Sequence, residues 1–261
     1  MIMVAPNGAR RNQQDHHGLP MTIDQTVAAA FACQHAGACI LHAHIRDKQG
    51  KHSLDAGMYA ELLAEMASQV PNMLVQITTE AVGQYNCQQQ MDLVTTLRPK
   101  MASVALRVAS EVDAKHFFSW ADEAQVHLQI VLYDAADLKR LKQLQVFGVL
   151  SNNSTCVLYV LGRYRENLQA LPADLDECLQ PKNPDTWFAC AFGQQEHACI
   201  SHAIDQGGHA RVGFENNLWL SSGELVANNH TLVAQVASYA QSQNRQVACA
   251  REAQLMLGVR D

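Results

Sequence analysis

Residues 38–47 read ACILHAHIRD. An apolar run of strand length carries two histidines two apart, and Arg46 follows at the same spacing. In an extended chain, side chains at i, i+2 and i+4 point the same way, so His42, His44 and Arg46 are expected to share one strand face. A polar triple turned toward a core is costly unless its members are hydrogen-bonded or ligated.

Seven further runs of the same kind occupy residues 1–5, 73–79, 101–106, 126–133, 155–162, 186–192 and 210–214. Their spacing, roughly 25–35 residues, is that of repeated βα units. The intervening segments carry helix signals. Thr22 with Gln25 predicts a capping box, and Gly37 sits where that helix should end. Ser110 with Asp113 starts another helix, and Asp134 is placed to cap AADLKRLKQL. No linker, repeat or low-complexity stretch divides the chain. Eight such units in 261 residues predict an α/β fold, one (β/α)8 TIM barrel over residues 1–261 with a C-terminal helix. A doubly wound open sheet is the alternative, and no G-x-G-x-x-G follows the first strand to support its dinucleotide-binding version. Barrels of this type place their chemistry at the C-terminal ends of the strands, where His42 and His44 fall.

Composition narrows the function. The chain is 48% hydrophobic and 17% charged, with a formal net charge of −6. It has no block of like charge and no basic stripe, which argues against nucleic acid as a partner. No apolar run reaches transmembrane length and the N-terminal apolar segment is too short for a signal peptide, so a soluble cytoplasmic protein with no membrane partner is expected. The eight cysteines include no C-x-x-C pair and read as free thiols in a reducing compartment.

His42 and His44 could be core residues bonded to backbone carbonyls. As metal ligands they lack a third protein donor, and Glu215 at the end of the eighth run offers one. In a closed barrel the first and last strands are neighbours and the second lies one further on, so Glu215 can meet the two rings across the rim. Two histidines and a glutamate form a catalytic zinc set that leaves a position open. Arg211 shares the strand face of Glu215 and reads either as an interior ion pair or as a holder of a carboxylate. Asn7 and Gly8 mark a tight turn after the first strand, with Arg10 in the loop beyond. Thr78 and Glu80 end the third strand and Ser103 lies on the fourth; hydroxyls in strands are often only β-formers. His16 and His17 read as a polar loop, and His209 as structural.

Several longer segments, AGACILHAHIRDKQGKHS (36–53), VQITT (75–79), GGHARVGFENN (207–217), GELVANNHTLVAQVASYA (223–240) and VACAREAQLMLG (247–258), resemble the β-keto acid cleavage enzyme family over nearly the whole chain. The resemblance implies a zinc-dependent barrel, usually a homo-oligomer (dimer or tetramer), that condenses a β-keto acid with acetyl-CoA and releases acetoacetate and a new acyl-CoA. It implies His42, His44 and Glu215 as zinc ligands, with Arg211 orienting the acid–base machinery. Asn7, Arg10, Arg46, Thr78 and Ser103 are then the expected substrate contacts. Three departures follow. The family's E-D-N is E-N-N here, so Asn216 stands in the catalytic set where an aspartate is implicated in proton abstraction. An amide cannot be a general base, and Glu80, where many members have glycine, becomes the candidate substitute. LGRYRENLQ replaces a glycine-rich segment after the sixth strand, leaving Arg163 and Arg165 as candidates for CoA phosphates. Arg10 lies where members acting on an amino-bearing substrate carry glutamate; a cation there favours an anionic or neutral side chain. A metal-dependent hydrolase on a barrel, and a relative that binds metal and keto acid without turnover, remain the alternative readings.

Overall fold

Ten strands order the computed structural model, which describes residues 1–108, 110–150, 155–164, 166–179 and 186–260. They are β1 (Ile2–Val4), β2 (Ile40–Ala43), β3 (Ile45–Arg46), β4 (His52–Ser53), β5 (Leu74–Thr78), β6 (Met101–Ala105), β7 (His127–Leu132), β8 (Cys156–Leu161), β9 (Thr186–Ala191) and β10 (His209–Val212). Eight close into a parallel barrel in the order β1-β10-β9-β8-β7-β6-β5-β2, and β3 pairs with β4 as a separate two-stranded ribbon. The expected eight-unit barrel is therefore present, and β1 does lie between β2 and β10. Strand burial is nearly continuous, BBBBBB in β8 for instance, because helices cover the outside of the sheet and side chains fill its inside.

Two apolar clusters follow the strand alternation. Val4, Leu41, Ile77, Val157 and Ala189 pack with helix residues such as Leu62, Leu141, Ile200 and Val233. Met3, Ile40, Leu74, Met101, Leu158 and Phe188 belong to the second cluster, together with Ala253, Leu257 and Val259. The second cluster fills the barrel, and the helix Ala250–Leu257 plugs its N-terminal mouth. Each large apolar side chain so buried is worth ~1.5–3 kcal/mol. The other half of the interior is polar: His42, Gln76, Thr78, Ser103, Gln129 and Arg211 are all buried. The plug and the polar half sit at opposite ends, which sends the chemistry to the C-terminal face.

Local signals held where they were specific. Thr22 and Gln25 form the capping box of helix Ile23–His35, and Gly37 follows it at φ +113, where a residue with a Cβ would be strained. Ser110 and Asp134 cap their helices through Asp113 and Asp137 amides. His16 departs from the polar-loop expectation: it is buried, with Nε2 2.7 Å from the Val226 carbonyl oxygen. The shared-face expectation for residues 42–46 is also corrected. The barrel strand stops at Ala43, and Arg46 belongs to the β3–β4 ribbon. Among the described residues, no helix is long and apolar enough to cross a membrane.

Candidate active site

His42 ends β2 on its inward side, His44 follows just past the strand, and Glu215 lies in the turn after β10. Their donor atoms converge. His42 Nε2 is 3.1 Å from His44 Nε2 and 3.6 Å from Glu215 Oε2, and His44 Nε2 is 3.4 Å from that oxygen.

A chain of buried amides orients the first ring. Its Nδ1 lies 2.8 Å from Gln76 Oε1, Gln76 Nε2 donates to Gln129 Oε1 at 3.2 Å, and Gln129 Nε2 donates to Cys156 Sγ at 3.4 Å. With Gln76 presenting its oxygen, the His42 proton sits on Nδ1 and the Nε2 lone pair faces the centre. Burial pushes the His42 imidazole down to about 3, so it stays neutral. Burial works against a charge on Glu215 too, but Arg211, at 3.2 Å from Oε1, outweighs it and holds the carboxyl well below its usual range. Glu215 Oε2 is left buried without a hydrogen-bond partner among the described residues.

These features fit a divalent cation. Two imidazole nitrogens and a carboxylate oxygen are zinc donors, and bonds of about 2.0–2.1 Å at tetrahedral angles put ligand atoms about 3.3–3.4 Å apart. The observed separations of 3.1, 3.4 and 3.6 Å bracket that value. Among the described residues, His42, His44 and Glu215 are the one group of this kind.

The surrounding loops are built to hold that geometry. Gly8 has φ +63, and a Cβ there would come 2.6 Å from Glu215 Cγ, so both its conformation and its missing side chain are needed. Asn7 Nδ2 donates to the His44 carbonyl at 2.9 Å, and Arg11 donates to the Phe214 carbonyl at 2.6 Å. Glu196 accepts from the Gly213 amide and from Asn217 Nδ2, both at 3.3 Å, and burial pushes its carboxyl up to about 8. Arg46 was expected on the substrate. Its guanidinium instead donates to the carbonyls of Gly8, Ala9, Arg11 and Gly50, which ties the 8–11 loop to the β3–β4 ribbon.

Above the three donors opens a cavity of about 210 Å³ whose walls include His42, Thr78, Glu80, Ser103, Arg211 and Glu215. Thr78 and Ser103 are register partners on β5 and β6. Arg10, Arg107, Arg163 and Tyr133 also border it. Glu80 Oε2 is 3.9 Å from His44 Nδ1, a ring nitrogen with no hydrogen bond among the described residues. Asn216 is fully buried, neither polar atom of its side-chain amide has a partner among the described residues, and it is not among the residues lining the cavity. Arg165 lies outside the described residues. Gln76 and Gln129 were missed by the sequence reading, although each is an amide inside an apolar strand run at inward parity. Replacing Gln76 by Leu is expected to weaken metal affinity roughly 10–100-fold, measured by competition against a chromogenic chelator; unchanged affinity would remove the amide chain from the site.

The sequence matches the model of the beta-keto acid cleavage enzyme family over residues 1–259. It is 24% identical over 280 residues to the 3-oxoadipate:acetyl-CoA acetyltransferase of Cupriavidus necator, covering 99% of this chain and 94% of that protein. It is 26% identical over 273 residues to the 3-keto-5-aminohexanoate cleavage enzyme of Fusobacterium nucleatum, covering 100% and 98%. Among solved structures, the binary complex of ObcA with oxaloacetate superposes with a TM-score of 0.74 at 12% identity, over 92% of this chain and 67% of that one. This last likeness concerns the fold.

Proposed function

Because the chain belongs to the β-keto acid cleavage enzyme family, we propose that it is a zinc-dependent acyltransferase that condenses a β-keto acid with acetyl-CoA and releases acetoacetate and a new acyl-CoA. The convergence of His42 Nε2, His44 Nε2 and Glu215 Oε2 within 3.1–3.6 Å at the mouth of a cavity carries this reading. The acetyltransferase among its relatives supports the acetyl-CoA half. On the family resemblance we propose a homo-oligomer, dimer or tetramer, and on the free cysteines a cytoplasmic location.

A zinc ion held by His42, His44 and Glu215 would supply Lewis-acid stabilisation for the negative charge that develops when the substrate's C2 proton leaves. Glu80 takes that proton, since it borders the cavity and Asn216 has no basic atom. The C2 carbanion then attacks the acetyl thioester carbonyl and the CoA thiolate leaves. The thiolate adds to the substrate's own keto carbon and the bond from that carbon to C2 breaks. Glu80 returns its proton to C2, which completes acetoacetate. Thr78 and Ser103 offer hydroxyls to the substrate from one wall, while Arg211 keeps Glu215 ionised and aimed.

The test is acetyl-CoA-dependent acetoacetate formation from a panel of β-keto acids, run with and without a chelator. Chelator-sensitive acetoacetate is expected. Amide or ester hydrolysis without CoA would favour a hydrolase instead, and tight metal and keto-acid binding without product would leave a non-catalytic binder.

A further inference from the structure

The rim of the cavity holds more positive charge than its own acids use. Four arginines border it: Arg10, Arg107, Arg163 and Arg211. Two are spent. Arg211 is paired with Glu215 at 3.2 Å, and Arg107 with Asp137 and Asp134 at 2.6 and 2.9 Å. Arg10 and Arg163 share a single carboxylate, Glu80, at 3.7 and 3.9 Å. Those separations lie beyond hydrogen-bond length. Two guanidinium groups facing one carboxylate leave this corner one positive charge in excess.

Arg163 is the more constrained of the two. Its side chain is 15% exposed, its guanidinium carbon stands 5.0 Å from the Phe192 ring centroid, and no hydrogen bond to it occurs among the described residues. A largely buried cation whose donors are engaged by none of the described residues calls for an anion, and the ring holds the fork in place meanwhile. Beside it lies a second pocket of about 70 Å³, bordered by Asn7, Gly8, Arg10, Glu80, Arg163 and Glu215 among others. A cavity needs only about 10–15 Å³ measured this way to hold a water, so a carboxylate with its adjoining methylene fits. Because Glu215 borders both pockets, an occupant here lies next to the three converging donor atoms.

We propose that Arg10 and Arg163 bind a second carboxylate on the substrate, which makes the chain selective for β-keto dicarboxylic acids. The proposal rests on the β-keto acid reading of the site and names the substrate class within it. A carboxylate seated between the two guanidinium groups neutralises the corner, whereas an ammonium group there adds a third cation. A CoA phosphate could meet the same donors, and the experiment separates the two anions.

A six-carbon 3-oxo diacid and the 3-oxo monoacid of equal length are compared on the wild-type protein, Arg163→Gln and Arg10→Gln. Calorimetric binding of each acid to the metal-loaded protein without acetyl-CoA is measured alongside kcat/KM with it. Wild type is expected to prefer the diacid roughly 10–100-fold in both measurements, the size of a charged hydrogen-bonding group gained or lost. Arg163→Gln should erase most of that preference in the calorimetric measurement, where the diacid loses roughly 10–100-fold in affinity and falls to the level of the monoacid; Arg10→Gln, at a more exposed site, should do so in part. Equal affinity of wild type for the two acids overturns the proposal. So does an effect of Arg163→Gln confined to the KM of acetyl-CoA and absent with dephospho-acetyl-CoA, which assigns the arginine to a CoA phosphate. If diacid preference appears in binding but neither acid is turned over, recognition stands and the catalytic reading fails alone.

Discussion

Replacing Glu215 by Gln is expected to abolish binding of a divalent cation at this site and to lower acetoacetate formation by at least about 10³-fold. The substitution keeps volume and shape, so the loss isolates charge. Glu215 Oε2 faces His42 Nε2 and His44 Nε2 at 3.6 and 3.4 Å and has no hydrogen-bond partner. An amide nitrogen or neutral oxygen there removes the anionic donor, leaving two imidazoles short of a catalytic zinc set. Arg211 also loses its 3.2 Å carboxylate partner. A buried cation deprived of its anion destabilises a protein by about 3–5 kcal/mol, so a lower melting temperature is expected alongside metal loss. Metal content by mass spectrometry, the acetoacetate assay and thermal melting check the three parts. A folded Glu215→Gln protein with about one metal ion per chain and full turnover would discard the site.

The barrel was largely legible in the sequence because its strands are buried on both faces and read as unbroken apolar runs. All eight expected runs overlap observed barrel strands, with ends that agree within two residues. The convergence of His42, His44 and Glu215 was legible for a related reason. His42 carries strand parity, and closure of the barrel brings β10 within one strand of β2. What the sequence concealed depends on loops. Arg46 has the same i+2 spacing as the histidines, yet the strand ends at Ala43 and the β3–β4 ribbon carries Arg46 to the 8–11 loop. Asn216 adjoins Glu215 in sequence, but the turn after β10 buries it fully and it is not among the residues that line the cavity. The excess charge at Arg10 and Arg163 arises from three separate loops, and spacing along the chain does not reveal such a meeting.

Glu80→Gln is expected to lower kcat by about 10²–10⁴-fold, the contribution of a positioned general base, while metal affinity stays within about threefold of wild type. Two roles for Glu80 fit its position, and this variant separates them. Its Oε2 lies 3.9 Å from His44 Nδ1, which has no hydrogen bond. As a purely orienting carboxylate, Glu80 would fix the tautomer that aims His44 Nε2 inward, and its loss would weaken metal binding roughly 10–100-fold. Three observations favour the base. The contact with His44 is longer than a hydrogen bond. Asn7 already anchors the His44 backbone at 2.9 Å. Glu80 also borders the same cavity as His42, Thr78 and Ser103, where the proposed substrate would bind. Exchange of the C2 hydrogen of a β-keto acid with deuterium oxide, followed by NMR without acetyl-CoA, reads the proton-transfer step directly. Slower exchange with full metal occupancy identifies the base. Exchange that returns to the wild-type rate once excess metal refills a depleted site would make Glu80 a positioning residue for His44 and leave the proton to another group.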